Sequence, residues 1–357
     1  MAQFYKILVS DVYKETDDCS VITFDIPEAL HQEFAFRQGQ HLTLKSTIDG
    51  AEVRRSYSLC SSPVEQKWQV AVKQIPGGLF STFVNTKLKP GDSLEVMPPS
   101  GKFGVEVGQD QQKKYVLFAA GSGITPILSM IKTHLALEPK ARVQLFYLNR
   151  TVKSIIFKEE IEQLRNQYFG RFEICYFLTK EQRDIELFNG RFTADKLNIL
   201  TKTLIDVSTT DEVFICGPEE MIFLIRDSLV AAGLSRDKVH YELFVSGLTE
   251  ADKKRMARLA EQQIDGVEMT IIDGGKEFHF TMTDDFDNIL DAALDAGADL
   301  PFACKGGVCS TCKCKVEAGD VEMKVNYALE PDEVAQQLVL SCQAVPTTAA
   351  VKVNFDV

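Results

Sequence analysis

Three cysteines crowd one short loop and a fourth stands thirty positions further on: Cys304, Cys309 and Cys312, then Cys342. The spacing is Cys-x4-Cys-x2-Cys followed by a distant cysteine. Four thiolates around two bridged irons need this pattern, three from one tight loop and one from elsewhere to close the site. Gly306 and Gly307 lie inside the loop. They let the backbone fold close and point N–H donors at sulfur, which also tunes a potential. A structural zinc site would instead show two short-spaced pairs. Cys314 falls outside the pattern and reads as a packed thiol.

The other four cysteines, Cys19, Cys60, Cys175 and Cys216, are scattered over the preceding 264 residues. An odd total of nine, with five clustered, fits metal or redox chemistry in a reducing compartment better than a disulfide framework. The first residues, MAQFYKILVSDVYKE, show no signal-peptide pattern and no apolar run nears the roughly 20 residues of a membrane span, so the expected location is the cytosol. The net charge of −12 argues against nucleic-acid binding. Residues 265–357 hold six Lys/Arg and seventeen Asp/Glu, a net −11, so nearly all the acidity lies in the last quarter. That acidity is a solvated surface, a docking face for a basic partner, or both.

A chain of 357 residues makes two or three domains. Residues 1–107 alternate short apolar-and-polar runs with turn residues (Lys6–Tyr13, Ser20–Ile26, His41–Lys45, Arg55–Cys60, Trp68–Ile75, Ser93–Met97). Evenly spaced short strands predict an antiparallel β-barrel or sandwich. Residues 108–245 alternate strand runs with helical spacing, which predicts an α/β doubly wound domain. A charged connector, 246–264, follows, with Thr249 and Asp252 placed to cap a short helix. Residues 265–357 read as a hairpin turning at Asp273-Gly274-Gly275, a helix over Asp284–Gly297, then the cysteine loop.

Two motifs in the first domain carry chemistry. In Arg54-Arg55-Ser56-Tyr57-Ser58-Leu59, a strand puts Arg55 and Tyr57 on one face and Ser58 on the other. In Pro76-Gly77-Gly78-Leu79-Phe80-Ser81-Thr82, two glycines and a Ser–Thr pair open an apolar helix, a place for an anion. Each alone is commonly just a surface strand or a turn. In the second domain, Gly121-Ser122-Gly123-Ile124-Thr125-Pro126 joins a strand to a helix in a way that suits a pyrophosphate. Cys216-Gly217-Pro218-Glu219-Glu220-Met221 stands at a second strand end. Arg150, with Thr151 and Ser154, ends a third strand where the ribose 2′ position is read, and an arginine there favours NADPH over NADH.

Together, in this order, these motifs resemble the ferredoxin–NADP reductase superfamily, followed by a plant-type ferredoxin domain with its α+β, β-grasp fold. The resemblance implies FAD, a nicotinamide dinucleotide and a 2Fe–2S cluster near about −400 mV. By that resemblance Arg55 binds the flavin pyrophosphate, Tyr57 packs on the isoalloxazine ring and Ser58 lies near its reactive N5. Gly77, Gly78, Ser81 and Thr82 hold the phosphates. Gly121, Gly123, Thr125, Pro126, Gly217, Pro218 and Met221 shape the nicotinamide site, with Cys216 beside the nicotinamide. Glu242 and Phe244 end the last strand, where relatives place an acid or an aromatic against the flavin. Cys304, Cys309, Cys312 and Cys342 are the implied iron ligands.

The flavin–nicotinamide–ferredoxin order is similar to the reductase components of multicomponent oxygenases. The loop through Cys314, Val325-Asn326-Tyr327-Ala328-Leu329-Glu330-Pro331 and Leu340-Ser341-Cys342-Gln343-Ala344 resemble the phenylacetyl-CoA epoxidase reductases of phenylacetate breakdown, whose acceptor is a diiron oxygenase component. Service to a Rieske oxygenase, hydroxylase or desaturase is the alternative within the class. A redox-sensing module with little turnover is the alternative outside it.

Overall fold

The computed structural model describes residues 3–244 and 250–357. The chain divides into two compact units, one of residues 5–244 and one holding the rest. Each is described by itself.

The first unit begins with a barrel. Its strands are β1 (Tyr5–Thr16), β2 (Cys19–Asp25), β3 (His41–Ile48), β4 (Ala51–Ser58), β5 (Trp68–Lys73) and, after helix α1 (Leu79–Thr86), β6 (Ser93–Val96). They pair antiparallel in the order β4-β3-β6-β1-β2-β5. A bridge between Leu59 and Val70, just beyond β4, joins the two ends of that order. Alternate residues point inward: Ile7 and Val9, Leu42 and Leu44, Leu94 and Val96 are all buried. This period of two is what the sequence shows as alternating runs. Each expected strand is present, shifted by a few residues at its ends.

The rest of the unit alternates strand and helix: β7 (Lys114–Ala120), α2 (Ile124–Leu137), β8 (Arg142–Asn149), α3 (Lys158–Gln167), β9 (Phe172–Leu178), α4 (Ala194–Thr203), β10 (Glu212–Gly217), α5 (Glu219–Ala231) and β11 (Val239–Leu243). All five strands are parallel, in the order β11-β10-β7-β8-β9. Strand β7 comes first in the chain, and its neighbours then wind outward in opposite directions. The order therefore reverses between β7 and β10, and a doubly wound sheet opens a ligand crevice at that point. The helical spacing of Ile156–Gln167 predicts a helix there, and α3 starts two residues later. Phe157 precedes it in the left-handed region, at φ 60°, which ends the helical run there.

The second unit starts with α6 (Glu250–Glu261), inside the expected connector. Val245 and the connector's first residues, Thr249 among them, lie outside the described residues. Helix α6 packs within this unit: the Tyr327 hydroxyl donates to Asp252 Oδ2 at 2.9 Å, Arg258 pairs with Glu322, and Leu259 is buried. A mixed sheet follows, of β12 (Val267–Asp273), β13 (Lys276–Met282), β14 (Lys313–Ala318), β16 (Leu338–Leu340) and β18 (Ala350–Asn354). Its order is β13-β12-β18-β14-β16. A small ribbon pairs β15 (Val321–Met323) with β17 (Ala344–Pro346). Helix α7 (Ile289–Asp295) buries Ile289, Leu290 and Ala293 in the same core as β12 and β18, and α8 (Pro331–Ala335) is a single short turn. The expected helix over 284–297 is therefore shorter at its start. Asn288 caps it, accepting from the Asp291 N–H at 2.9 Å, and a side-chain oxygen at that place fixes where a helix begins. Cys314 is fully buried in this core, the packed thiol expected. No described helix is long and apolar enough to cross a membrane.

Replacing Tyr327 by Phe removes the bond to Asp252 at a cost of about 1 kcal/mol. Limited proteolysis between Lys253 and Arg258 should then be faster than in the parent protein, with cleavage elsewhere unchanged.

Candidate functional site

The sheet reversal brings two glycine-bearing turns together. After β7, residues 121–123 form one 3-10 turn leading into α2, with Gly121 at φ 53°. Gly123 packs on the end of β10 so closely that a Cβ there would lie 2.2 Å from the Cys216 carbonyl oxygen. On the other side, a Cβ on Gly217 would lie 2.6 Å from Met221 Cε. At position 123 only glycine permits the backbone-to-backbone approach, whereas at 217 the neighbour is the flexible end of a methionine. Thr125 and Pro126 are buried, and the Thr125 hydroxyl donates to the Ser122 carbonyl at 3.1 Å. Tyr147 holds the same turn from β8, its hydroxyl donating to the Gly121 carbonyl at 3.0 Å. Thr125 and Pro126 thus shape the turn from within, while Gly121 and Ser122 are half-exposed.

Cys216 is fully buried, in register with Ala119 of β7 and Glu242 of β11. Burial pushes its thiol well above the ordinary range, so it stays protonated and neutral. Pro218 is exposed and precedes α5, and Met221 is buried against Gly217. Arg150 is exposed just past β8. Phe244 is half-buried against the nicotinamide-domain core.

The barrel reaches this crevice through the end of β4. Ser58 is buried, and its hydroxyl donates to Glu242 Oε2 at 3.1 Å, across 184 positions of sequence. Removal from water raises the Glu242 carboxyl to about 8, opposed only by the Ser58 hydroxyl. At neutral pH this acid therefore keeps its proton. The sequence places Glu242 at a strand end but gives no sign that it meets Ser58. Along β4, Arg55 is exposed and Tyr57 half-buried, the latter's ring 5.8 Å from that of Phe80 on α1. Gly77, at φ 75°, and Gly78 lead into α1, whose first N–H groups have no partner one turn back. Ser81 is used locally: its hydroxyl accepts from the Ile75 N–H at 3.1 Å and donates to the Gly78 carbonyl at 3.3 Å. It closes the turn, whereas Thr82 is half-exposed beside it.

In the second unit the four cysteines of the motif come together as two pairs, Cys304 with Cys309 and Cys312 with Cys342, each within hydrogen-bond reach. Within each pair the thiol-to-thiol bond lowers one member, Cys304 or Cys342, and raises the other. Among the described residues no three His, Cys, Asp or Glu converge on one point. Two donors already aim at sulfur: the Gly306 N–H to Cys304 Sγ at 3.3 Å, and Gln343 Nε2 to Cys342 Sγ at 3.5 Å. Lys305, Gly307 and Ser310 all take positive φ, the backbone needed for so tight a loop. Gln343 also donates to the Lys305 carbonyl at 2.9 Å, tying the fourth cysteine's segment to the loop. Its position next to Cys342 was the only sequence sign of that role.

Known proteins contain domains of the same three kinds. Family models match an oxidoreductase FAD-binding domain at residues 6–104, an oxidoreductase NAD-binding domain at 117–227 and a 2Fe–2S iron–sulfur cluster binding domain at 271–347. The chain belongs to the family of flavin- and nicotinamide-binding reductase components of oxygenases that carry a 2Fe–2S domain, and it is an oxidoreductase of that class. It is 43% identical over 356 residues to one of the subunits of the 1,2-phenylacetyl-CoA epoxidase from Escherichia coli, covering 100% of this chain and 99% of the relative. It is 34% identical over 354 residues to the ferredoxin reductase component of 3-ketosteroid-9-alpha-monooxygenase from Rhodococcus rhodochrous, covering 98% and 96%. Its fold is similar to that of phthalate dioxygenase reductase, with a TM-score of 0.60 at 22% identity over 99% of this chain and 98% of that one.

Glu242 supplies a pH test. A carboxyl raised from 4.5 to about 8 on folding stabilises the fold fully below its unfolded value and loses that stability as pH rises towards 8. Unfolding of the parent protein should therefore become easier between about pH 5 and 8, while the Glu242→Gln variant shows a flatter profile over that range. At the turn, Gly123→Ala should cost about 1–3 kcal/mol through overpacking against Cys216, read as a lowered unfolding midpoint.

Proposed function

We propose that this chain draws electrons from NAD(P)H and delivers them singly, through FAD and a 2Fe–2S cluster, to an oxygenase component of the phenylacetyl-CoA epoxidase type, a diiron protein. The observation that carries this reading is the meeting of Ser58 with Glu242 beside the sheet reversal. It puts the flavin barrel's motif and the nicotinamide crevice at one place. The identity to the epoxidase relative along the full chain supports the choice of partner. Service to another kind of oxygenase, such as a Rieske oxygenase, is the second reading, and the full-length match to the ferredoxin reductase component of a ketosteroid monooxygenase keeps an oxygenase other than the epoxidase in view.

The residues present fit all three groups. The exposed Arg55 and the unpaired N–H groups at the start of α1, with Thr82, suit a flavin's phosphates, and Tyr57 suits its ring. The turn at Gly121 and Gly123 suits a dinucleotide pyrophosphate, and Gly217, Pro218 and Met221 form the facing wall. The two thiol pairs suit two irons, one pair to each, with Gly306 and Gln343 donating to the sulfurs. When bound, the flavin accepts two electrons as a hydride and gives them up singly, and the cluster carries one at a time.

The chain's own part is to bind, orient and hold protons. Ser58 is the hydroxyl that would lie near the flavin's reactive edge, and Glu242, protonated at neutral pH, accepts its hydrogen and fixes its direction. Cys216, neutral and buried, backs the nicotinamide without offering a nucleophile. Arg150 reads a 2′-phosphate, so the preferred donor is NADPH. The reading carries a cytoplasmic location, where NAD(P)H is available and cysteines outside disulfides stay reduced.

Three variants test the assignment. Ser58→Ala should slow flavin reduction by NADPH by tenfold or more at unchanged FAD content; a full rate removes Ser58 from the mechanism. Arg150→Ala should raise KM for NADPH by about tenfold, the worth of about 1.4 kcal/mol, and leave NADH unaffected. Cys342→Ser should abolish the low-temperature EPR signal of the reduced cluster while flavin bleaching by NADPH persists.

A further inference from the structure

Between the barrel and the nicotinamide domain, inside the first compact unit, lies a buried layer of polar groups. Ser61, Ser62, Ser129, Lys132 and Thr133 are all buried. The Ser129 hydroxyl donates to the Ser61 carbonyl at 2.6 Å. Thr133 donates its own hydrogen to the Ser129 carbonyl at 2.6 Å, so in the 2.8 Å contact between Ser62 and Thr133 it is Ser62 that donates. Nothing is left over in this set, and direction is specified at each bond. An apolar layer would let the two faces slide, whereas these bonds hold in one register only.

One charge stands at the centre. Lys132, on α2, is 7% exposed and pairs with two carboxylates on different elements. Its ammonium lies 3.4 Å from Glu65 Oε2, in the barrel, and 2.5 Å from Glu160 Oε1, on α3. The same Glu65 oxygen accepts from the Ser62 N–H at 2.5 Å. A second barrel acid, Glu15 on β1, accepts from the Phe157 N–H at the start of α3, at 2.7 Å. Three acids and one lysine thus meet at this seam. The barrel touches α3 at both points, once directly and once through the ammonium.

The segments so joined are those that bear the cofactor motifs. Ser58 stands seven residues before Glu65 on one continuous stretch. Helix α2 starts directly after the Gly121–Gly123 turn. Helix α3 follows the stretch that begins at Arg150. We infer that Lys132 is a positioning residue for hydride transfer: by binding Glu65 and Glu160 together it sets the distance and angle between the flavin edge and the nicotinamide. Lys132 stands about two turns into α2, beyond the Gly121–Gly123 turn, and its partners are Glu65 and Glu160 rather than motif residues, so it acts through the elements it joins. Removing the buried ammonium leaves two partly exposed carboxylates, Glu65 and Glu160, with no cation between them, and their repulsion loosens the link between the barrel and α3.

This inference rests on the proposed function, and a parent protein whose flavin is not reduced by NAD(P)H fails that function rather than this residue's role. The experiment compares the parent with Lys132→Met and Lys132→Arg as full-length, cofactor-loaded protein. Three quantities are read: the rate of flavin reduction at saturating NADPH, the dissociation constant of NADP+, and the long-wavelength flavin–nicotinamide charge-transfer absorbance. Lys132→Met should reduce the rate tenfold or more and diminish the charge-transfer band. Its NADP+ affinity should stay within threefold and its FAD content should be unchanged. Lys132→Arg, which keeps the charge and reach, should restore both rate and band to within threefold. Parent-like rate and band in Lys132→Met would overturn the inference, and so would a rate loss matched by an equal loss of NADP+ affinity. If Lys132→Met does not retain FAD, Glu160→Gln and Glu65→Gln each cut one of the two links. Slower reduction with a weakened band in both supports the role, and parent-like behaviour in both overturns it.

Discussion

The nicotinamide end of the molecule depends on how closely the turn after β7 approaches the end of β10. Gly123 would place a Cβ 2.2 Å from the Cys216 carbonyl, so the two backbones touch with no side chain between them. That contact fixes where α2 begins. Helix α2 in turn carries Ser129, Lys132 and Thr133 to the barrel, and the strand beside β10 carries Glu242 to Ser58. A single larger residue at position 123 would shift the crevice wall, the interdomain seam and the acid beside Ser58 together.

Two kinds of proton-holding group surround the proposed redox centres, and the same force acts on both. Burial keeps the Glu242 carboxyl and the Cys216 thiol neutral, so the crevice presents hydrogen bonds rather than charge. In the second unit the pairing of thiols works differently: one member of each pair is made more acidic by its neighbour. A neutral crevice suits transfer of a hydride, and four thiols gathered in two close pairs suit iron. The division of labour is written in local environment, since cysteine serves in both places.

Much of the fold was legible because its periodicities are clean. Inward residues such as Leu42 and Leu44, or Leu94 and Val96, give the barrel strands directly, and the alternation of strand runs with helical spacing over 108–245 gives elements such as β8 and α4. The start of α7 was not legible from apolar spacing, because Asn288 caps the helix after Phe286 has already been counted into the stripe. The connector's character was hidden too. Its charged sequence allows a tether or a short surface helix and does not show that Tyr327 and Glu322, more than sixty residues away, hold α6 within the second unit.

At the site, motif residues were visible and their partners were not. Ser81 and Thr125 stand in the right motifs, yet their hydroxyls are spent on the turns' own carbonyls, a local bond that spacing cannot distinguish from a ligand bond. Glu242 and Lys132 act through contacts across 184 and 67 positions, which no local pattern encodes. The most direct test of the electron path is an anaerobic titration of the purified protein, with NADPH and NADH added separately and followed by absorbance and low-temperature EPR. The account predicts flavin bleaching, then a rhombic reduced-cluster signal, at lower concentrations of NADPH than of NADH. A colourless protein holding zinc, or a flavin that bleaches while the cluster stays oxidised, would contradict it.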